Sequence, residues 1–406
     1  MFFHKILPII LYTSSFLHAD LNTDVAALTE GHTEFAFSLY PTLDTGDTNL
    51  VFSPYSISTC LSMVYLGARG ETQSQMQSAL QMKVDRKNLP KTAFALNQSL
   101  LPQKNSEKSY KLNMANAVWV DQGTFLLTDF RYSIEQQFKA KLGTLNFDAA
   151  PEKALESINE WVYKQTQGKI PRLLNGDDIN KMTRLMLTNA VFFQGNWVSP
   201  FDPKETYEAP FYSKLEESVP TMMMHKTHSV PYFENELLQA VALPFTGMSN
   251  EGGQLAFFAL LPKSADNFSA MVSEIDGSFD EWVSSLSQAH VELTLPKFTF
   301  SSRFDLNKPL QDLGIEDAFD SNANFTGIDG IRDLFLNKVV SLTYFALDEI
   351  GVTAAAATSA GMNVTFVPEK PPIPFDADHP FLFFILDLKS KEVLFMGKVV
   401  QPEENK

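Results

Sequence analysis

Five histidines stand beyond the first 19 residues: His32, His225, His228, His290 and His379. Acid–base or metal chemistry would have to be assembled from these. His225 and His228 are close, but a zinc site needs further ligands, and the pair is read as two polar loop residues with no metal. The single cysteine, Cys60, follows Ser53-Pro54 and shares an apolar stripe with Ile57, Leu61 and Val64, with Gly67 as the expected helix stop. A thiol buried on such a stripe, with no basic neighbour to lower its pKa, is inert. Lys83, Arg86, Lys87 and Lys91 could gather a sulfated polysaccharide, but are read as an ordinary solvated helix face. The chain has no G-x-S-x-G, H-E-x-x-H, P-loop or G-x-G-x-x-G, the patterns that announce hydrolases, zinc enzymes and nucleotide binders. No catalytic residue, metal or cofactor is expected.

The elements that would position any site belong to a globular protein. Of 406 residues 44% are hydrophobic, and 34 Phe are spread along the chain, which excludes a disordered or low-complexity polymer. The formal charge of −16 repels nucleic-acid phosphates and anionic lipid, so neither is expected as a partner. Residues 1–19 carry His4 and Lys5, an apolar stretch from Ile6 to Tyr12, and small residues up to Ala19. That pattern predicts a secretory signal cleaved before Asp20 and a secreted protein with no transmembrane helix. Since one cysteine cannot form an internal disulfide, the exported chain must be held by its core alone.

Residues 20–406 show no repeat, charge block or linker, so one α+β domain is expected. Apolar spacings of three and four predict helices over 24–40, 54–66, 71–80 and 152–167. Runs rich in Val, Phe, Leu and Thr predict strands over 114–120, 185–193, 255–261, 291–300, 380–388 and 392–400. The near-continuous apolar runs Leu255 to Leu261 and Phe381 to Leu386 suggest strands covered on both faces. The run Met222 to Met224 is read as core filling.

The segment from Glu349 to Pro368 is the unusual one. It holds no charge after Glu349, and its first half is built from Gly351, Val352, Thr353, Ala354, Ala355, Ala356 and Ala357. Gly351, Gly361 and the Thr and Val residues disfavour a helix. As a strand it would set Val352, Ala354, Ala356, Thr358 and Ala360 on one face, small enough to slide over a packed core. Thr353, Ala355, Ala357 and Ser359 would form the other face, which could meet water.

With that segment in view, the chain resembles the serpins, a family of serine protease inhibitors, over essentially all of residues 24–402. Asn49-Leu-Val-Phe-Ser-Pro-Tyr-Ser56, Thr188-Asn-Ala-Val-Phe-Phe-Gln-Gly-Asn-Trp197, Leu295-Pro-Lys-Phe298 and Asp312-Leu-Gly-Ile315 match family motifs in order and spacing. The most specific match is Phe375-Asp-Ala-Asp-His-Pro-Phe-Leu-Phe-Phe-Ile385, followed by Leu394-Phe-Met-Gly-Lys-Val-Val-Gln-Pro402. The resemblance implies a metastable fold of three β-sheets with eight or nine helices and an exposed reactive-centre loop at about 349–378. A protease that attacks the loop forms an acyl-enzyme. The severed loop then inserts as a strand of the central sheet and drags the enzyme with it.

By the same resemblance, Glu349 with Gly351, Val352, Thr353, Ala354, Ala355, Ala356 and Ala357 forms the hinge of the loop. A charge or proline after Glu349 would oppose insertion, and none is present. Val352 and Thr353 depart from the family's usual Thr and Glu. Counting from Glu349 as inhibitory members do, the reactive bond joins Thr365 and Phe366, which favours an elastase-like target. A shift of one residue would favour a chymotrypsin-like one. Glu349 should pair with Lys297 beside Trp197 where the sheet first opens, the breach. Ser53, Ser56, Asn189 and Ser341 should form the cluster beneath the sheet's centre, the shutter, with Ser341 standing where most members have His. Asn97, Asn267, Asn324 and Asn363 head glycosylation sequons. The expected function is therefore suicide inhibition of an elastase-like or chymotrypsin-like serine protease by a monomer. The alternative of a different class is a non-inhibitory carrier or chaperone on the same scaffold; an enzyme with turnover is disfavoured.

Overall fold

In the computed structural model of the chain, residues 7–102, 110–214, 217–250, 252–352 and 370–402 are described. Helix α1 (Leu7–Leu43) leads into strand β1 (Leu50–Phe52), helices α2 (Pro54–Tyr65), α3 (Gly70–Ala79) and α4 (Leu89–Leu100), and strand β2 (Lys111–Asp121). The short α5 (Thr128–Tyr132), β3 (Lys141–Leu145), α6 (Pro151–Gln165) and β4 (Leu185–Asn196) follow. Next come β5 (Tyr207–Lys214), β6 (Glu217–Glu234), β7 (Leu238–Pro244), β8 (Leu255–Pro262), α7 (Phe268–Ser284), β9 (Ser287–Pro296) and β10 (Phe298–Asp305). The chain continues through α8 (Asn307–Asp312), α9 (Thr326–Asp329), β11 (Leu336–Leu347), β12 (Gly351–Val352), β13 (Ile373–Asp376), β14 (Phe381–Asp387) and β15 (Val393–Val399). The mixed α+β class agrees with the sequence reading.

Hydrogen bonding divides the strands into a six-stranded sheet, ordered β10-β11-β12-β4-β2-β3, and a nine-stranded network, β1-β15-β14-β8-β7-β6-β9-β13 with β5 on β6. The long β6 pairs with β5, β7 and β9, and so joins into one network strands that the family description counts as two sheets. Pro220 and Pro231 lie within β6, which hid it from sequence patterning. The apolar runs of β8 and β14 are buried at every position, and Phe257 stacks on Phe383 between them.

Three expectations are refined. The first helix runs without a break from Leu7 to Leu43, through the predicted cleavage point. The strand predicted over 291–300 is two strands in different sheets, because the chain crosses from one sheet to the other at Lys297. Helix α2 starts as expected, with Ser53 accepting a hydrogen bond from the Ser56 amide and Pro54 in the first turn, but ends at Tyr65. Leu66 caps it, so Gly67 stands just past the helix end as expected, and it also serves packing: a β-carbon there would stand 2.3 Å from Ile328 Cγ1.

All twelve residues of α2 are buried beneath the six-stranded sheet and β15. Cys60 is 1% exposed, and burial pushes its thiol up to about 12, so it is inert as expected.

Candidate functional site

The predicted site residues fall into two groups on the six-stranded sheet. The first surrounds the point where the chain leaves β11. Lys297, placed by the crossing from β9 to β10, sets its Nζ 3.0 Å from Glu349 Oε2. Thr206 Oγ1 donates to the other carboxylate oxygen at 2.9 Å. Burial acts to raise the Glu349 pKa, but its backbone hydrogen bond, Lys297 and Thr206 outweigh it and hold the carboxyl below the ordinary range. Next door the balance is opposite. Burial outweighs the two amides of Ile350 and Gly351 that Asp348 accepts, and its carboxyl titrates above the usual range.

Trp197 locks this turn from the side. Its indole Nε1 donates to the Asp348 carbonyl at 3.0 Å, its backbone amide donates to Ile350 O at 2.8 Å, and Phe201 N reaches Glu349 O at 2.9 Å. The ring stacks on Phe245 at 4.8 Å. The three breach residues expected from sequence are thus brought together, and Thr206 and Asp348 join them.

The turn delivers Gly351 and Val352 directly between β4 and β11. Val352 pairs with Leu347 on one side and Gly195 on the other, and Gly351 pairs with Asn196. Val352 is fully buried. A β-carbon at Gly351 would lie 2.0 Å from the Gly195 carbonyl oxygen, so only glycine permits the approach. Beyond this wedge, β4 and β11 pair with each other directly, in parallel, from Phe192 and Tyr344 back to Leu185 and Leu336. Of the hinge expected from sequence, Glu349, Gly351 and Val352 are therefore placed, whereas Thr353, Ala354, Ala355, Ala356 and Ala357 lie outside the described residues. So do Asn363 and both residues of the expected reactive bond, Thr365 and Phe366.

The second group lies midway along that seam. Asn116, Asn189 and Ser341 stand in register on β2, β4 and β11. Ser341 Oγ donates to Asn189 Oδ1 at 2.7 Å, and Asn189 Nδ2 lies 2.6 Å from both Asn116 Oδ1 and Ser56 Oγ. Ser56 Oγ donates to Asn116 Oδ1 at 3.1 Å, while Ser53 Oγ donates to Leu394 O and ties α2 to β15. All are buried, so each amide and hydroxyl depends on the others for its partners. Of the four expected shutter residues, Ser56, Asn189 and Ser341 thus meet in one place together with Asn116, while Ser53 joins them only through the Ser56 amide. The signal of Asn116 was an amide inside the apolar run Met114 to Val120, where only a specific partner makes burial tolerable.

The other polar candidates are absorbed elsewhere. His225 and His228 lie on β6 rather than in a loop; three residues apart on that strand, they face opposite ways, and His225 Nε2 meets Glu292 at 3.3 Å. Burial, first, and Lys226 push His228 down to about 4. No group of three or more His, Cys, Asp or Glu side chains suited to a metal occurs among the described residues. Lys83, Arg86 and Lys87 lie between α3 and α4 rather than on a helix face; Lys83 pairs with Glu30 and Glu34, Lys87 with Asp85, and Arg86 donates to Leu66 and Ala68 carbonyls. Met223 and Met224 are buried, whereas Met222 is exposed.

The polar cluster at mid-seam is what the resemblance implied, whereas the exposed loop it implied over about 349–378 is shorter at both ends, because Val352 is buried between β4 and β11 and Phe375 is buried in β13 on β9. The family model for "Serpin (serine protease inhibitor)" matches residues 30–402. The chain belongs to the serpin family. It is 35% identical to the leukocyte elastase inhibitor of Sus scrofa over 387 residues, which cover 92% of this chain and 99% of that protein. Among solved structures it resembles the highly specific serpin of the insect Tenebrio molitor, at a TM-score of 0.81 and 28% identity, covering 93% and 98% of the two chains. Human thyroxine-binding globulin complexed with thyroxine gives a TM-score of 0.82 at 25% identity, covering 94% and 100%. Serpins are protease inhibitors by family rather than catalysts, and the fold described above is theirs.

Proposed function

We propose that this serpin is a suicide-substrate inhibitor of an elastase-like or chymotrypsin-like serine protease, acting as a secreted monomer whose single domain spans residues 20–406. The observation that carries the proposal is the wedge of Gly351 and Val352, already strand-paired on both sides at the head of the β4–β11 seam. The sequence that follows offers no charge and no proline to the sheet before Pro368. Each residue can add to the ladder with little desolvation penalty, so loop cleavage by a protease should be followed by insertion. In this reading Thr365 occupies the protease pocket, and the likeness to a leukocyte elastase inhibitor supports a target that accepts a small side chain. Export rests on the pattern of residues 1–19 and is tested by finding Asp20 as the N-terminus of protein recovered from the medium.

The test is incubation with elastase and, separately, with chymotrypsin, followed by a denaturing gel and the mass of the released peptide. A covalent band with a fragment beginning at Phe366 is expected; a fragment beginning at Val367 would move the bond by one residue. Cleavage without a stable complex would sink the proposal in favour of a non-inhibitory carrier, a reading to which the likeness to thyroxine-binding globulin lends support. Ala356→Arg separates the two, since it should turn an inhibitor into a substrate and leave a carrier's binding unchanged.

A further inference from the structure

For a strand to enter the six-stranded sheet, β4 and β11 must part along their shared length, from about 4.8 Å to twice that spacing. Among the described residues, side chains hydrogen-bond across this seam at two places. One is the contact of Ser341 with Asn189 at its middle. The other is at the end farthest from Val352, where Asn337 Oδ1 accepts the backbone amides of Arg184 at 2.6 Å and Leu185 at 3.2 Å. Asn337 Nδ2 also reaches Met182 O at 3.4 Å.

Asn337 is placed for this by an irregularity. The β4–β11 register shifts between Leu336 and Lys338, so Asn337 is the residue skipped by the ladder. Asn307 fixes it there: its Nδ2 donates to Asn337 O at 2.9 Å while its Oδ1 accepts from Val339 N. The side-chain carbonyl of Asn337 therefore holds the first amide of β4, that of Leu185, and the amide of Arg184 just before it.

We propose that Asn337 is a positioning residue that clasps the far end of the seam and controls the last stage of strand entry. Leu185 and Asn337 each stand ten residues back from Gly195 and Leu347, the partners of Val352. A strand that continues the pairing of β12 meets the clasp at its tenth residue beyond Val352. Thr365 lies three residues further on. The hinge and the middle of the strand can enter with the clasp shut; the residues next to the reactive bond cannot. The inference rests on the loop-insertion reading above.

The clasp can be tested without a protease, by following uptake of a synthetic peptide copying residues 353–366 into the intact protein on a native gel. Asn337→Ala removes the acceptor from two amides in the closed sheet but not in the open one. At the net value of a typical hydrogen bond it should speed uptake by about tenfold. Asn337→Asp keeps an acceptor of greater charge and should be no faster than the unaltered protein. Equal rates for Asn337→Ala and the unaltered protein, even with a lower melting temperature, would reduce Asn337 to a structural residue and overturn the proposal. So would an Asn337→Asp protein as fast as Asn337→Ala, or no uptake by any of the three. The expected ranking together with elastase left uncomplexed would sustain the clasp and sink only the trapping reading.

Discussion

The carbonyl oxygen of Gly195 occupies the space that a β-carbon on Gly351 would need, 2.0 Å away. This contact lets the chain turn from β11 straight into the sheet, with Val352 as its first buried side chain. Gly351→Ala should expel the wedge and expose Val352, costing about 1.5 to 3 kcal/mol of stability. Urea unfolding measures the loss. The same variant should raise the number of inhibitor molecules consumed per protease inactivated, because entry of the strand begins at this residue. Unchanged stability and stoichiometry would show that the two backbones need not approach.

The pairing of Glu349 with Lys297 carries a pH signature. A carboxyl whose folded pKa is depressed contributes stability that is fully present above its ordinary value near 4.5 and is lost as pH falls through the folded value. The stability gap between the unaltered protein and Lys297→Ala should therefore be constant near neutrality and narrow below about pH 4.5. Asp348 acts in the opposite sense, since its raised carboxyl costs stability near neutrality and the cost is relieved on acidification. Asp348→Asn separates the two, because it removes the opposing group and leaves the Glu349–Lys297 pair in place. A gap that does not narrow in acid would mean the ion pair contributes nothing.

Removing Asn116 tests whether the mid-seam cluster acts as a unit. Asn116→Ala leaves a hydroxyl on Ser56 and an amide on Asn189 each short of a buried partner, at a cost of about 1 to 3 kcal/mol. Chemical denaturation of Asn116→Ala, Ser341→Ala and the double variant gives the coupling directly. Strictly additive losses would indicate independent contacts.

Much of this was legible in the sequence, for identifiable reasons. Helices α2, α3 and α6 and strands β8, β14 and β15 announced themselves by periodicity or by long apolar runs. Glu349, Lys297 and Trp197 lie far apart in sequence, and family motifs rather than spacing brought them together. Other residues escaped for physical reasons. Thr206 matters through one hydrogen bond to Glu349, and Asp348 through its carboxylate and carbonyl bonds within the turn and to Trp197, and neither departs from what a polar loop would contain. Asn337 depends on a register shift, which no local pattern encodes. The split at Lys297 was missed because both halves are good strand sequence, and the change of sheet is decided by what each half pairs with.

The pH dependence of strand entry turns on what occupies the middle of the seam. Ser53, Ser56, Asn116, Asn189 and Ser341 contain no group that titrates near neutrality. His228 lines a small cavity with Trp197 and Phe201, and its pKa of about 4 keeps it neutral above pH 6. Entry measured by peptide uptake should therefore hold steady between pH 8 and pH 6. Ser341→His places an imidazole against Asn189 at the point where β4 and β11 must part. Protonation there buries a charge among neutral amides and hydroxyls, which disfavours the closed seam. That variant should take up peptide faster as pH falls through the histidine range, while the unaltered protein does not change. A steep change in the unaltered protein over the same interval would mean that a group outside the cluster controls the seam.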